Sequence, residues 1–88
     1  MSDLGTVKIS LTEYQNVETL LNTTFEEGKT YTIQVEGDVR LKETETQPTT
    51  GGFRVNFSYP FDFEYDGTNT LWAKSLSSLK DSYITVAD

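Results

Sequence analysis

Three acidic side chains recur at every second position near residue 64, and this is the spacing in the sequence closest to a metal site. Asp62, Glu64 and Asp66 share one face of a predicted strand, and carboxylate oxygens are the ligands that Ca²⁺ prefers. The pattern of a calcium loop then fails, because Thr68 and Thr70 stand where acids or amides belong. No glutamate occupies the twelfth position of that loop either. We interpret the trio as a solvated strand face and expect no metal.

The sequence offers few side chains for nucleophilic or acid–base catalysis. It contains no cysteine and no histidine, which excludes Ser-His and Cys-His pairs and removes most zinc sites. Fourteen acidic residues always allow some pair of carboxylates, so such a pair has no diagnostic value. A domain of 88 residues also rarely forms a deep cleft. We therefore expect a protein that is not an enzyme and has no cofactor.

Three aromatic residues are candidates for a ligand site or a subunit contact: Trp72, Tyr59 and Tyr14. Tyr59 precedes Pro60 at a predicted corner of the chain. Trp72 alternates with Leu71 and Ala73, so it faces solvent if those two face the core, and packs under the sheet edge if they do not. An exposed tryptophan or tyrosine suits either a sugar platform or an interface.

Five further aromatic residues alternate with polar ones and predict a buried face. The segment "PFDFEYDGTNTLWAKSL", residues 60–76, carries much of this pattern. Alternation of this kind is typical of strands that bury one side. The residues that it assigns to the core are Phe53, Val55, Phe57, Phe61, Phe63 and Tyr65.

The elements that would position these residues are short strands at roughly ten-residue spacing. Glycine, proline and polar turns separate six or seven of them, and "GD" at 37–38 and "DGTN" at 66–69 predict hairpins. Asn16 is placed to cap one short helix near residues 16–23. We predict a mainly all-β fold over a single domain, residues 1–88, as a small antiparallel β-sandwich, jelly roll or barrel.

The charge of the chain bears on its partners. The net charge is −7, and the seven basic residues are scattered singly along the sequence. No basic run is present to neutralise phosphates, so we expect neither nucleic acid nor a membrane as a partner. The first ten residues lack the regions of a signal peptide, and no apolar run approaches ~18 residues.

Residues 39–88 resemble a known class of proteins in their order of strands and turns. A charged strand leads into "QPTTGG", then "PFDFEY", "NTLWAKS" and a last strand "YITVAD". This arrangement resembles the small β modules of bacteriophage virions, such as head-fibre, decoration and tail-accessory proteins. The resemblance implies a non-enzymatic structural protein, located in the virion after assembly in the bacterial cytoplasm. It also implies self-association, often as a trimer, contact with other virion proteins, and no catalytic residues.

Two further hypotheses compete with this one. A carbohydrate-binding or host-attachment module would use Trp72, Tyr59 and Tyr14 as stacking platforms for a host glycan. A small antagonist of a basic host protein would be favoured by the acidic charge.

Overall fold

The computed structural model describes residues 3–88, which form eight strands and one short helix. The elements are β1 (Asp3–Ile9), β2 (Gln15–Asn16), α1 (Val17–Leu21), β3 (Thr30–Glu36), β4 (Val39–Thr44), β5 (Phe53–Val55), β6 (Phe61–Glu64), β7 (Thr70–Ser75) and β8 (Ser82–Ala87). Sheet 1 has the order β1-β8-β3-β6, and sheet 2 has the order β2-β7-β4-β5. Both sheets are antiparallel, so the all-β prediction is confirmed.

The strand pairing is that of one long hairpin rolled into a sandwich. β1 pairs with β8, β2 with β7, β3 with β6, and β4 with β5. Rolling this hairpin brings β8 beside β3 and β7 beside β4, which completes the two sheets. Eight strands connected in this way form a jelly roll.

Two predicted hairpins are wrong for the same reason. The turn at Gly37 joins β3 in sheet 1 to β4 in sheet 2, and the turn after Asp66 joins β6 in sheet 1 to β7 in sheet 2. Each turn therefore crosses the edge of the sandwich. Turn residues reverse the chain, but they do not decide whether the returning strand pairs beside its predecessor or crosses the core.

The core lies between the sheets and follows the alternation of the strands. Tyr31, Ile33 and Val35 of β3 are buried, as are Ile84 and Val86 of β8. Antiparallel strands bury alternate residues, so their polar neighbours face outwards. The other buried hydrophobic side chains are Ile9, Tyr14, Val17, Phe25, Val39, Leu41, Val55, Phe63, Leu71 and Ala73.

A buried serine fastens the corner between β3 and β4 to sheet 1. The hydroxyl of Ser82 accepts a hydrogen bond from the backbone N–H of Asp38 at 3.2 Å. It also receives the hydroxyl proton of Ser75, with the two oxygens 3.0 Å apart. Ser82 is fully buried, and Gly37 passes directly over it. A buried hydroxyl needs such partners, so corner and serine stabilise each other.

The short helix forms where the sequence predicts it. The Asn16 side chain accepts hydrogen bonds from the backbone N–H groups of Glu18 and Thr19 at 2.9 and 3.4 Å, which is an N-cap. α1 ends at a left-handed Asn22. It contacts β1 and β7, and Leu20 and Leu21 pack against the core. The β1 and β2 side of the sandwich is therefore covered.

Candidate functional site

The opposite side of the sandwich, where β5 and β6 are the last strands, exposes aromatic side chains. We name Phe53, Phe57, Tyr59 and Phe61 the aromatic edge. Phe53 is 80% exposed and Tyr59 is 66% exposed, whereas Phe57 and Phe61 are partly buried. The prediction that Phe53 belongs to the core is wrong. Phe53 points to the same face of β5 as buried Val55. Sheet 1 does not extend far enough to cover it there.

An apolar cleft opens between the two edge strands. Its volume is about 360 Å³, at the lower end of the range for ligand pockets in proteins. Buried core residues, among them Ile33, Leu41 and Leu71, form its floor, and three residues of the aromatic edge line it. The cleft therefore lies directly over the core, although the floor residues themselves stay buried.

The aromatic rings of the edge support one another. The rings of Phe57 and Tyr59 are stacked with centroids 4.3 Å apart and planes 15° apart. Phe57 also meets Phe61 edge to face, at 5.9 Å. Pairs in these geometries are favourable by about 0.5–1.5 kcal/mol beyond the area that they bury. Tyr59 is therefore held in place although most of it is in solvent.

Charged side chains surround the cleft. Asp62 and Glu64 are exposed on β6. On β5, the guanidinium of Arg54 donates two hydrogen bonds to the carboxylate of Asp38, at 3.0 and 2.7 Å. These bonds hold the pKa of Asp38 below its ordinary value. Burial raises the pKa of Glu43 in the cleft wall, and the nearby charge of Asp66 adds to this.

The structure separates the three aromatic residues that the sequence singles out. Tyr14 is buried, not at the surface, and its hydroxyl donates a hydrogen bond to the carbonyl of Gly51. Trp72 faces outwards because Leu71 and Ala73 are buried, and it is itself half-buried. Its indole N–H donates to the carbonyl of Thr44 at 2.9 Å. Tyr59 alone of the three belongs to the aromatic edge.

The three acidic residues of the trio do not share one strand face in this fold. Asp62 and Glu64 lie on β6, but Asp66 lies in the turn beyond it. The carboxylate of Asp66 accepts hydrogen bonds from the backbone N–H groups of Thr68 and Asn69, both at 2.8 Å. Within residues 3–88 no cluster of acids is placed to hold a metal ion.

Basic residues that are scattered in the sequence meet on the outer face of sheet 2. Arg40 pairs across strands with Arg54 on one side and Lys74 on the other, and Lys42 pairs with Trp72. Cross-strand partners share a face, so the strand register gathers these cations. Sequence reasoning missed this cluster because its members come from three strands.

No helix among the described residues is long and apolar enough to span a membrane.

Searches against protein-family models, curated proteins and solved structures find no match for this chain. Its function is therefore inferred from the geometry of residues 3–88 and from the arrangement of residues 39–88.

Proposed function

We propose that this chain is a non-enzymatic structural protein of a phage particle that self-associates through its aromatic edge. The observation that carries the proposal is the open β5–β6 side of the sandwich, where Phe53 is 80% exposed above an apolar cleft. Exposed apolar patches of this kind mark interaction surfaces.

The composition of the patch favours a protein contact. Aromatic residues and arginine are enriched where binding energy concentrates, and the four rings of the aromatic edge have Arg54 beside them, on the same strand as Phe53. The two outer strands also leave one side of their backbones without a strand partner within residues 3–88. Proteins generally cover or protect such edges.

Two observations support the phage setting. Residues 39–88 resemble the small β modules of virions in their order of strands and turns. The fold is a jelly roll, an architecture that occurs in viral capsid and lectin domains. Because one fold hosts many functions, the aromatic edge carries more weight than the architecture.

Replacing Phe53 with serine is expected to weaken self-association by about tenfold or more, since a central interface aromatic contributes at least that much. Because Phe53 is exposed, the free energy of unfolding should change by less than about 0.5 kcal/mol. Size-exclusion chromatography with light scattering, over a range of concentrations, measures the mass of both chains.

The matched control is Leu11→Ser. Leu11 is 44% exposed and follows β1, on the side away from the cleft. This variant should associate like the wild type. A wild-type chain that remains monomeric at the highest concentration would contradict the proposed function.

A glycan contact at Tyr59 is a second candidate, favoured by a separate observation. Tyr59 borders an open groove of about 780 Å³ that also presents the polar side chains of Glu36, Asn56 and Lys80. A fixed aromatic ring beside hydrogen-bonding groups suits a sugar ring. Wild-type protein should then bind some member of a glycan panel, and Tyr59→Ala should lose that binding. Equal binding by both chains would contradict it.

A further inference from the structure

We propose that the partner at the aromatic edge is a second copy of this chain, with β5 of each copy pairing with β6 of the other. This inference rests on the proposed self-association and specifies its geometry. Two such pairings related by a two-fold axis join each sheet 1 to the other copy's sheet 2. The product is one closed dimer with a continuous core.

The backbone of β6 is available for this pairing. Tyr65 follows β6 and forms backbone hydrogen bonds with residues that precede β3. Its N–H donates to the carbonyl of Lys29 at 3.1 Å, and its carbonyl accepts from the N–H of Gly28 at 2.8 Å. Antiparallel strands alternate the direction of their backbone groups. The N–H and C=O groups of Asp62 and Glu64 therefore face away from β3, towards a new strand.

The topology places both edges so that one partner can cover them together. β5 and β6 end their sheets on the same side of the sandwich, and residues of both strands line the cleft. β6 is antiparallel to β3, and β5 is antiparallel to β4. Since the chain reverses between β3 and β4 at Gly37, β5 and β6 run in opposite directions. A two-fold axis along the strands then gives two antiparallel pairs.

Charge selects this pairing over the alternatives. The outward side chains are Arg54 on β5 and Asp62 with Glu64 on β6. Pairing β5 with β6 places a cation beside two anions on one sheet face, which is favourable. Pairing β6 with β6 would oppose carboxylates, and pairing β5 with β5 would oppose two Arg54 side chains; like charges in those positions are unfavourable.

Arg54 has donors to spare for a partner. Its guanidinium carries five N–H groups, and the bonds to Asp38 come from Nε and Nη2 only. The Arg54 side chain remains 59% exposed. The ion pair with Asp38 therefore leaves N–H groups of Arg54 available to a partner.

The apolar side chains complete the interface. Phe53 and Phe61 sit at the mouth of the cleft, and the partner would present the same two rings from the opposite direction. Strand addition of this kind takes its affinity from main-chain hydrogen bonds and its specificity from pockets for side chains. Because each surface is used twice, the interface is isologous and stops at two copies.

A charge-exchange experiment tests this geometry. Variant A carries Asp62→Lys and Glu64→Lys, and variant B carries Arg54→Glu. Each alone should dimerise more weakly than the wild type, by about 30-fold or more, because both contacts become repulsive. A mixture of A and B restores opposite charges at both contacts, so it should form a heterodimer with nearly wild-type affinity. Light scattering and analytical ultracentrifugation give mass and affinity.

The control is Asp38→Asn, which removes the ion pair within one copy and leaves the edge charges in place; it should dimerise like the wild type. Thermal unfolding confirms that each variant is folded. Dimers of A and B as tight as those of the wild type, or a trimer in the wild type, would overturn this pairing and leave self-association intact. A monomeric wild type would overturn both proposals.

Discussion

Replacing Gly37 with alanine is expected to lower the free energy of unfolding by about 2–4 kcal/mol. Gly37 has a φ of +104°, in the left-handed region that side chains disfavour. A Cβ there would lie 2.5 Å from the Ser82 hydroxyl oxygen and 3.1 Å from the Ser82 Cα. Because the Cα belongs to the backbone of a central strand, rotation of the serine side chain cannot relieve the contact. Urea unfolding of both chains measures the loss.

The variant Gly28→Ala distinguishes the cost of backbone strain from the cost of steric contact with Ser82. Gly28 has a φ of +78°, and an added Cβ would meet no atom within 4 Å. This variant should cost about 1 kcal/mol, from backbone conformation alone. Equal losses for the two variants would show that Ser82 does not confine the corner.

Replacing Ile84 with alanine should lower the free energy of unfolding by about 2–5 kcal/mol, the usual cost of removing a large buried aliphatic side chain. Ile84 is fully buried and lies in β8 between Val7 of β1 and Val35 of β3. Neighbours on both sides limit collapse into the cavity. Chemical unfolding monitored by circular dichroism gives the value.

A graded control is available at the same position. Ile84→Val removes one methylene and should cost about 0.5–1.5 kcal/mol. If Ile84→Ala cost no more than Ile84→Val, the side chain could not be held between β1 and β3 as described.

The parts of the fold that depend on neighbouring residues are predictable from the sequence. Alternation identifies the inward faces of β3 and β8, through Ile33 and Ile84, because the pleat repeats every two residues. The N-cap at Asn16 is equally local. The sheet to which a strand belongs does not depend on neighbouring residues alone. The turn residues at Gly37 are compatible both with β4 pairing beside β3 and with β4 crossing to the other sheet, as it does here.

The candidate site depends on which strands form the edges of the sheets, and this cannot be predicted from the sequence pattern. Alternation correctly assigns Phe53 to the inner face of sheet 2, but no opposing strand covers it there. A ligand or interface role for Tyr14 requires exposure, but Tyr14 is buried and its hydroxyl bonds to Gly51, 37 residues away. The spacing of apolar and polar residues along the chain does not predict contacts between residues that are so far apart in sequence.

The rolled pairing also governs when the chain can fold. Of the eight strands, β8 is synthesised after the other seven, yet it occupies the middle of sheet 1 between β1 and β3. The hydroxyl oxygens of Thr6 and Thr85 lie 2.7 Å apart although 79 positions separate them. A nascent chain lacking β8 leaves β1 and β3 without the strand that joins them. Sheet 1 is therefore completed after synthesis of residue 87, at the millisecond-to-second pace of proteins with high contact order.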